Sequence, residues 1–249
     1  MFATGLCASI FGSMVGLGGG FIAVPILLLF FGLSPAEASG TSLALVVANS
    51  AAGAFTYALQ RRVHVRIGLL IAAGGLPGSI AGAIVATHIS AQLFDWVLAA
   101  LLIAVSFDMV VNRAKRLSTH AESLHPSMPA IRCVLLGLLV GFVSSLFGIG
   151  GGVIVVPSLL YFSTLPAHMI SATSHFAIFL TSPVGLATHW WQRDIRWDFV
   201  LPLALGGIIG GPIGARLSLR LGQTRLLVFV AIALTVAALA LVLRHFTRA

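Results

Sequence analysis

Charge is what this sequence has least of. Asp, Glu, Lys and Arg make up 8% of the 249 residues, against roughly 25% in ordinary soluble domains. That scarcity excludes a soluble globular fold. The two cysteines, Cys7 and Cys133, lie in apolar stretches without CxxC or paired spacing. They read as packing residues, not as a disulfide framework or a metal centre. A G-x-S-x-G nucleophile turn and an HExxH zinc motif are both missing. The net charge is +8, yet no nucleic-acid motif or aromatic–basic stripe accompanies it, so nucleic acid is excluded as a partner.

What is abundant is apolar: 59% hydrophobic residues and a mean hydropathy of +1.08. A membrane span needs only about 20 such residues, and long stretches recur along the whole chain. Each span in lipid must satisfy its own backbone hydrogen bonds, which predicts an all-α, multi-pass membrane protein. Positive charge is confined to clusters between apolar segments: Arg61, Arg62 and Arg66, then Arg113, Lys115 and Arg116, then Arg216, Arg220 and Arg225. Clusters of this kind mark cytoplasmic loops.

The chain also contains itself twice. Gly16-Leu-Gly-Gly-Gly-Phe-Ile-Ala-Val-Pro25 returns as Gly148-Ile-Gly-Gly-Gly-Val-Ile-Val-Val-Pro157, 132 residues further on. The same offset pairs Ser39, Thr41 and Ser42 with Ser171, Thr173 and Ser174, and Gly74, Gly78 and Gly82 with Gly206, Gly210 and Gly214. Register held over so many positions indicates an internal duplication. The expected organisation is a first transmembrane repeat over 1–111, a polar linker over 112–129 and a second repeat over 130–249. Each repeat has four apolar segments, about eight in all, and its first segment is broken at the glycines. The first segment lacks a basic leader region and reads as structural, not as a cleaved signal. Gly5 comes early, whereas its counterpart Gly137 has apolar residues before it, so a shortened first helix and a misassigned start both fit.

Loop charge leaves the topology open. Parallel halves place 11 Lys and Arg inside against 3 outside, and inverted halves 10 against 4. Helix length favours inversion. The stretch from Phe21 to Phe31 rises only about 17 Å as helix, short of a hydrocarbon core of about 30 Å, which suits a half-helix.

Duplicated apolar halves broken at matching places point to a transporter site. Gly18, Gly19 and Gly20, with Gly150, Gly151 and Gly152, should unwind the helix and expose backbone amides. Non-helical backbone at membrane depth is tolerated only where it is buried in protein or lines a cavity. The helix restarting beyond each triplet would aim its positive end at that place, which suits an anion. No Lys or Arg occupies the middle of any segment, so such a site must work with neutral donors. Candidates are Thr41, Ser42 and Asn49 in one half and Thr173, Ser174 and His175 in the other. His175 aligns with Leu43 and, as an intramembrane ionisable residue, is the candidate for proton coupling or ligand contact. Helix packing through the glycines and hydroxyls bonded to their own helices are the competing readings. The glycines at 74, 78 and 82 and their copies read as packing ridges, and His189, Trp190 and Trp191 as an interfacial belt. No cofactor or metal is expected, because His120, Glu122 and His125 in the linker lack a further anchored ligand.

With the paired glycine blocks, the segments Ala38-Ser-Gly-Thr-Ser-Leu43 and Ile170-Ser-Ala-Thr-Ser-His175 make the chain resemble the TauE/SafE sulfite-exporter family over essentially its whole length. The resemblance implies a bacterial-type inner-membrane transporter of sulfite, sulfonates or related sulfur-containing anions, with the lipid bilayer as its surroundings and assembly into a homo-oligomer left open. It does not separate one small anion from another. A non-transporting membrane scaffold and an intramembrane enzyme using Ser174, His175 and His189 are the alternatives. Adjacent helix residues point about 100° apart, so Ser174 and His175 make a poor nucleophile–base pair.

Overall fold

A computed structural model of the chain describes residues 1–111, 128–218, 231–232 and 234–243. All regular structure among them is helical: α1 (Phe2–Val15), α2 (Gly20–Phe30), α3 (Pro35–Leu59), α4 (Val65–His88), α5 (Ala91–Val111), α6 (Ala130–Phe147), α7 (Gly152–Phe162), α8 (Ala167–Trp191), α9 (Trp197–Leu217) and α10 (Leu234–Leu243). Six of these, α3 to α6, α8 and α9, are long and apolar enough to cross a membrane. Of the other two expected segments, the first divides at its glycines into the short α1 and α2, and the last, from Leu226 to Leu243, lies partly outside the described residues. The linker lies outside the described residues except for Met128 and Pro129.

Local sequence explains the punctuation. Gly16 closes α1 at φ 92 with its N–H on the Gly12 carbonyl, and Gly148 closes α6 at φ 67, the left-handed helix stop that only glycine adopts cheaply. At α3, Ser34 and Glu37 form a capping box ahead of Pro35. Pro25 and Pro157 fall at the sixth residue of α2 and α7, beyond the first turn, so each removes one intrahelical bond.

The broken segments fold back as hairpins. A Cβ built on Gly19 would lie 3.0 Å from the Ala8 carbonyl oxygen, so the chain leaving α1 returns along it. At the far end of α2, the Phe31 ring packs 5.0 Å from that of Phe199 at the start of α9. In the second half, Phe162 at the end of α7 shares a groove with Arg132 and Leu135 at the start of α6. With 11 residues each, α2 and α7 rise about 17 Å, roughly half a hydrocarbon core.

The two halves interlock. Gly74, Gly78 and Gly82 of α4 press on the carbonyls of Val134, Leu138 and Phe142 of α6, in rising order, so these helices run parallel. Gly206, Gly210 and Gly214 of α9 meet α1 in the same way, from Phe2 to Ile10. These are the close backbone approaches of small-residue packing, and the expected ridges are found. Between these pairs, α3 and α8 run antiparallel: Gly40 near the start of α3 meets His189 near the end of α8, and Gly53 late in α3 meets His175 early in α8.

Candidate functional site at the hairpin tips

Both hairpin tips are built from the same backbone. Gly18 and Gly19 sit at φ 89 and 88, and Gly150 and Gly151 at φ 90 and 68. Left-handed geometry at two successive positions in each half needs glycine. The tips touch: a Cβ on Gly18 would lie 3.4 Å from the Gly150 Cα, one on Gly20 would strike the Gly148 carbonyl, and one on Gly152 the Gly16 carbonyl. The N-termini of α2 and α7 therefore converge on one place between the halves. Neither has a side-chain cap; the Gly152 and Ile154 amides turn to the Gly150 and Gly151 carbonyls at 2.8 and 3.0 Å, and the Ile22 amide to the Gly19 carbonyl at 3.3 Å. All six triplet glycines are buried, so in this conformation the tips are closed. The apolar grooves, between α2 and α10 at Ile22 and Val236 and between α6 and α7 at Leu135 and Phe162, lie elsewhere.

Hydroxyls from the two central helices hold the tips. Ser42 donates to the Gly148 carbonyl at 2.9 Å and Ser174 to the Gly16 carbonyl at 2.8 Å. Thr41 and Thr173 sit apart from the tips. Their oxygens accept the backbone N–H groups of Arg196 and His64, each at 3.0 Å, and so anchor the chain entering α9 and α4.

Asn49 and His175 are joined by a residue the sequence reading missed. The Asn49 amide nitrogen donates to the Gly18 carbonyl at 2.9 Å, which fixes the amide because a carbonyl only accepts. Its Oδ1 then takes the Ser13 hydroxyl proton at 2.8 Å. With that proton committed, Ser13 Oγ accepts from His175 Nε2–H at 3.0 Å. A directed chain therefore runs from His175 through Ser13 and Asn49 to the glycine break, with all three side chains 0% exposed. The matching positions of the other half are Ser145, Thr181 and Leu43. There Thr181 bonds back to its own helix at the Ala177 carbonyl, and Leu43 packs with Val46 and Ile178. The polar chain exists on one side only.

The Ser13 carbonyl receives the buried Tyr57 hydroxyl, and the Ser145 carbonyl faces His189 Nε2 at 2.9 Å. Tyr57 and His189 are themselves 132 residues apart, a pairing visible in the sequence once the offset is applied beyond identical residues. His189 is 0% exposed while Trp190 and Trp191 are 65% and 90% exposed. The histidine thus leaves the expected interfacial belt and the two tryptophans stay on the surface. No group of three His, Cys, Asp or Glu side chains placed to hold a metal occurs among the described residues.

Comparison with known proteins agrees with this architecture. The family model for sulfite exporter TauE/SafE matches residues 1–241. A probable membrane transporter protein, YunE of Bacillus subtilis (strain 168), is 30% identical over 246 residues, covering 91% of this chain and 90% of its own. A probable membrane transporter protein of Methanocaldococcus jannaschii, MJ0441, is 31% identical over 196 residues, covering 76% and 71%. One from Xylella fastidiosa (strain 9a5c) is 29% identical, covering 85% and 81%. No solved structure matches. With helices that span a membrane, and with a family match along nearly its full length, the chain belongs to the sulfite exporter TauE/SafE family of membrane transporters.

Proposed function

We propose that the chain carries small sulfur-containing anions such as sulfite or an organosulfonate across a cell's inner membrane, holding the anion where the α2 and α7 N-termini converge. The observation that carries this reading is the pair of uncapped half-helix ends at one buried place. Their dipoles favour negative charge, and the neutral groups Ser42, Ser174, Asn49 and His175 lie beside them, their donors held by the tip carbonyls and Ser13 while the tips are closed and released as the tips part. Neutral donors bind an anion loosely enough to release it, as transport requires. Thr41 and Thr173 belong to the frame of this site, not to its lining. The tips must separate to admit a ligand, and their contact is backbone on backbone, so the closed state is one end of a rigid-body movement.

On this reading the halves are inverted repeats. Antiparallel α3 and α8, each the second segment of its half, support inversion, as do hairpins that enter from opposite faces. The positive-inside rule then puts Arg61, Arg62 and Arg132 on the cytoplasmic face and the α8–α9 turn outside. Labelled sulfite exchange in proteoliposomes tests the function. Flux above empty vesicles, competed by unlabelled sulfite or sulfonate, is the expected result. Background flux across a panel of sulfur oxyanions would refute the substrate class, and flux of some other small anion would replace it.

A further inference from the structure

We propose that His189 and Asp194 together form a one-proton binding site that latches the second hairpin. The ring of His189 lies between two groups that face it as acceptors. Its Nε2 is 2.9 Å from the Ser145 carbonyl oxygen, and its Nδ1 is 3.3 Å from Asp194 Oδ2. A carbonyl cannot donate, so Nε2 must carry a proton. Nδ1 and the carboxylate then need one further proton between them, whether it rests on the imidazole or on the acid. Loss of that proton leaves a nitrogen lone pair facing a carboxylate beside a ring with no exposure to solvent. Asp194 is 15% exposed and supplies the route by which the proton comes and goes.

The first half solves the same problem without a titrating group. Tyr57, the counterpart of His189, donates its hydroxyl to the Ser13 carbonyl. Arg62, the counterpart of Asp194, stands 5.2 Å over the tyrosine ring. A phenol and a guanidinium both keep their protons across the physiological range. One hairpin is thus held by a fixed pair and the other by a pair that can let go. Gly40 makes room for the arrangement, since a Cβ there would lie 3.1 Å from the His189 Cβ and 2.7 Å from the Asp194 carbonyl oxygen. The other charged groups near the pair are already engaged with one another: Glu37 of α3 with Arg196 at 3.6 Å, and Arg196 with Asp198 of α9 at 3.8 Å. From α6 the neutral Ser145 carbonyl faces the ring. Arg193, in the same turn, is exposed.

The proton site rests on this geometry alone, whereas its coupling to flux rests on the transport reading. Two measurements keep them apart. The first contains no anion: thermal melting of the purified full chain in detergent from pH 5 to pH 9. The wild type is expected to melt lower as pH rises, because the latch holds while the proton is bound. H189Y imports the first half's solution, and D194N lets an amide N–H donate to Nδ1. Both should flatten that alkaline decline. The second is sulfite flux in proteoliposomes, where the ratio between pH 6 and pH 8 should change about tenfold in the wild type and less than about twofold in either variant, the size of one unmade buried hydrogen bond. If D194N, or H189Y where it folds, keeps the wild-type decline in melting, the proposal is overturned. A flattened decline with no sulfite flux in any chain would keep the proton site and refute the transported anion instead.

Discussion

Gly20→Ala offers a clean test of whether the hairpin tips meet. On propensity alone the change should help, because alanine gains up to about 1 kcal/mol over glycine in a helix. The structure predicts the reverse. The new methyl would strike the Gly148 carbonyl, which is backbone and cannot rotate away. That carbonyl also receives the Ser42 hydroxyl, so moving it weakens a buried bond worth about 1 kcal/mol. Overpacking of this kind costs about 1–3 kcal/mol, and the net expectation is a loss of about 2 kcal/mol. Gly152→Ala should behave alike, because it meets the Gly16 carbonyl held by Ser174. Gly32→Ala is the control. Gly32 sits at φ 63 with nothing within 4 Å of an added Cβ, so it reports left-handed strain alone, about 1–2 kcal/mol. The assay is melting of the detergent-solubilised protein followed by size exclusion, with sulfite flux in parallel. Gly20→Ala and Gly152→Ala should melt well below wild type and lose flux, while Gly32→Ala keeps flux. Wild-type melting in the first two would mean that the tips do not touch, and the convergence of α2 and α7 would fall with that contact.

Asn49→Leu removes the donor to Gly18 and the acceptor for Ser13, about 1–3 kcal/mol for each group left unpaired, and should weaken anion competition in the flux assay at least about tenfold. Thr181→Ala, at the matching position, should leave flux near wild type because that hydroxyl serves only its own helix. His175→Leu copies Leu43 into the second half. Flux should fall while the pH profile of melting stays as in the wild type, and a flattened profile would move the proton site from His189 to His175. Tyr57→Phe strands the buried Ser13 carbonyl, so melting should drop by an amount equivalent to about 1–3 kcal/mol at every pH.

Much of this frame is legible in the sequence because glycine reports backbone requirements directly. The matched stops at Gly16 and Gly148, the glycine triplets and the ridges from Gly74 and Gly206 all need a missing side chain, and each can be found by spacing alone. Side-chain partnerships across the halves are less visible. Ser13, Asn49 and His175 meet only because α8 runs antiparallel to α3, and no local pattern predicts that. Thr41 looks like its neighbour Ser42, yet one helix step turns its hydroxyl from the tip to the Arg196 amide. The path of a broken segment is hidden for a related reason. Hydropathy registers that a broken segment is apolar but not that it turns back, and only the short reach of α2 and α7 hints at the hairpin.

Identity between the halves marks what the fold needs twice, and difference marks where they divide the work. Among the matched positions that differ in chemistry are Leu43 and His175, Asn49 and Thr181, Tyr57 and His189, and Arg62 and Asp194. The first two place a polar chain beside the tips on one side only, and the last two place the proton latch on one side only. On the inverted reading, two identical halves would make inward-open and outward-open states equal in energy, because exchanging the conformations of the halves turns one state into the other. Exchange between two states can be biased only by interactions that differ between them. A proton-dependent latch on one hairpin and a fixed clamp on the other supply such a difference, and its size depends on pH. Replacing His189 and Asp194 together by Tyr and Arg restores the symmetry of the clamps. That double variant should still exchange labelled sulfite at equal concentrations, with a flux ratio between pH 6 and pH 8 of less than about twofold. A wild-type ratio would show that the pH dependence enters elsewhere.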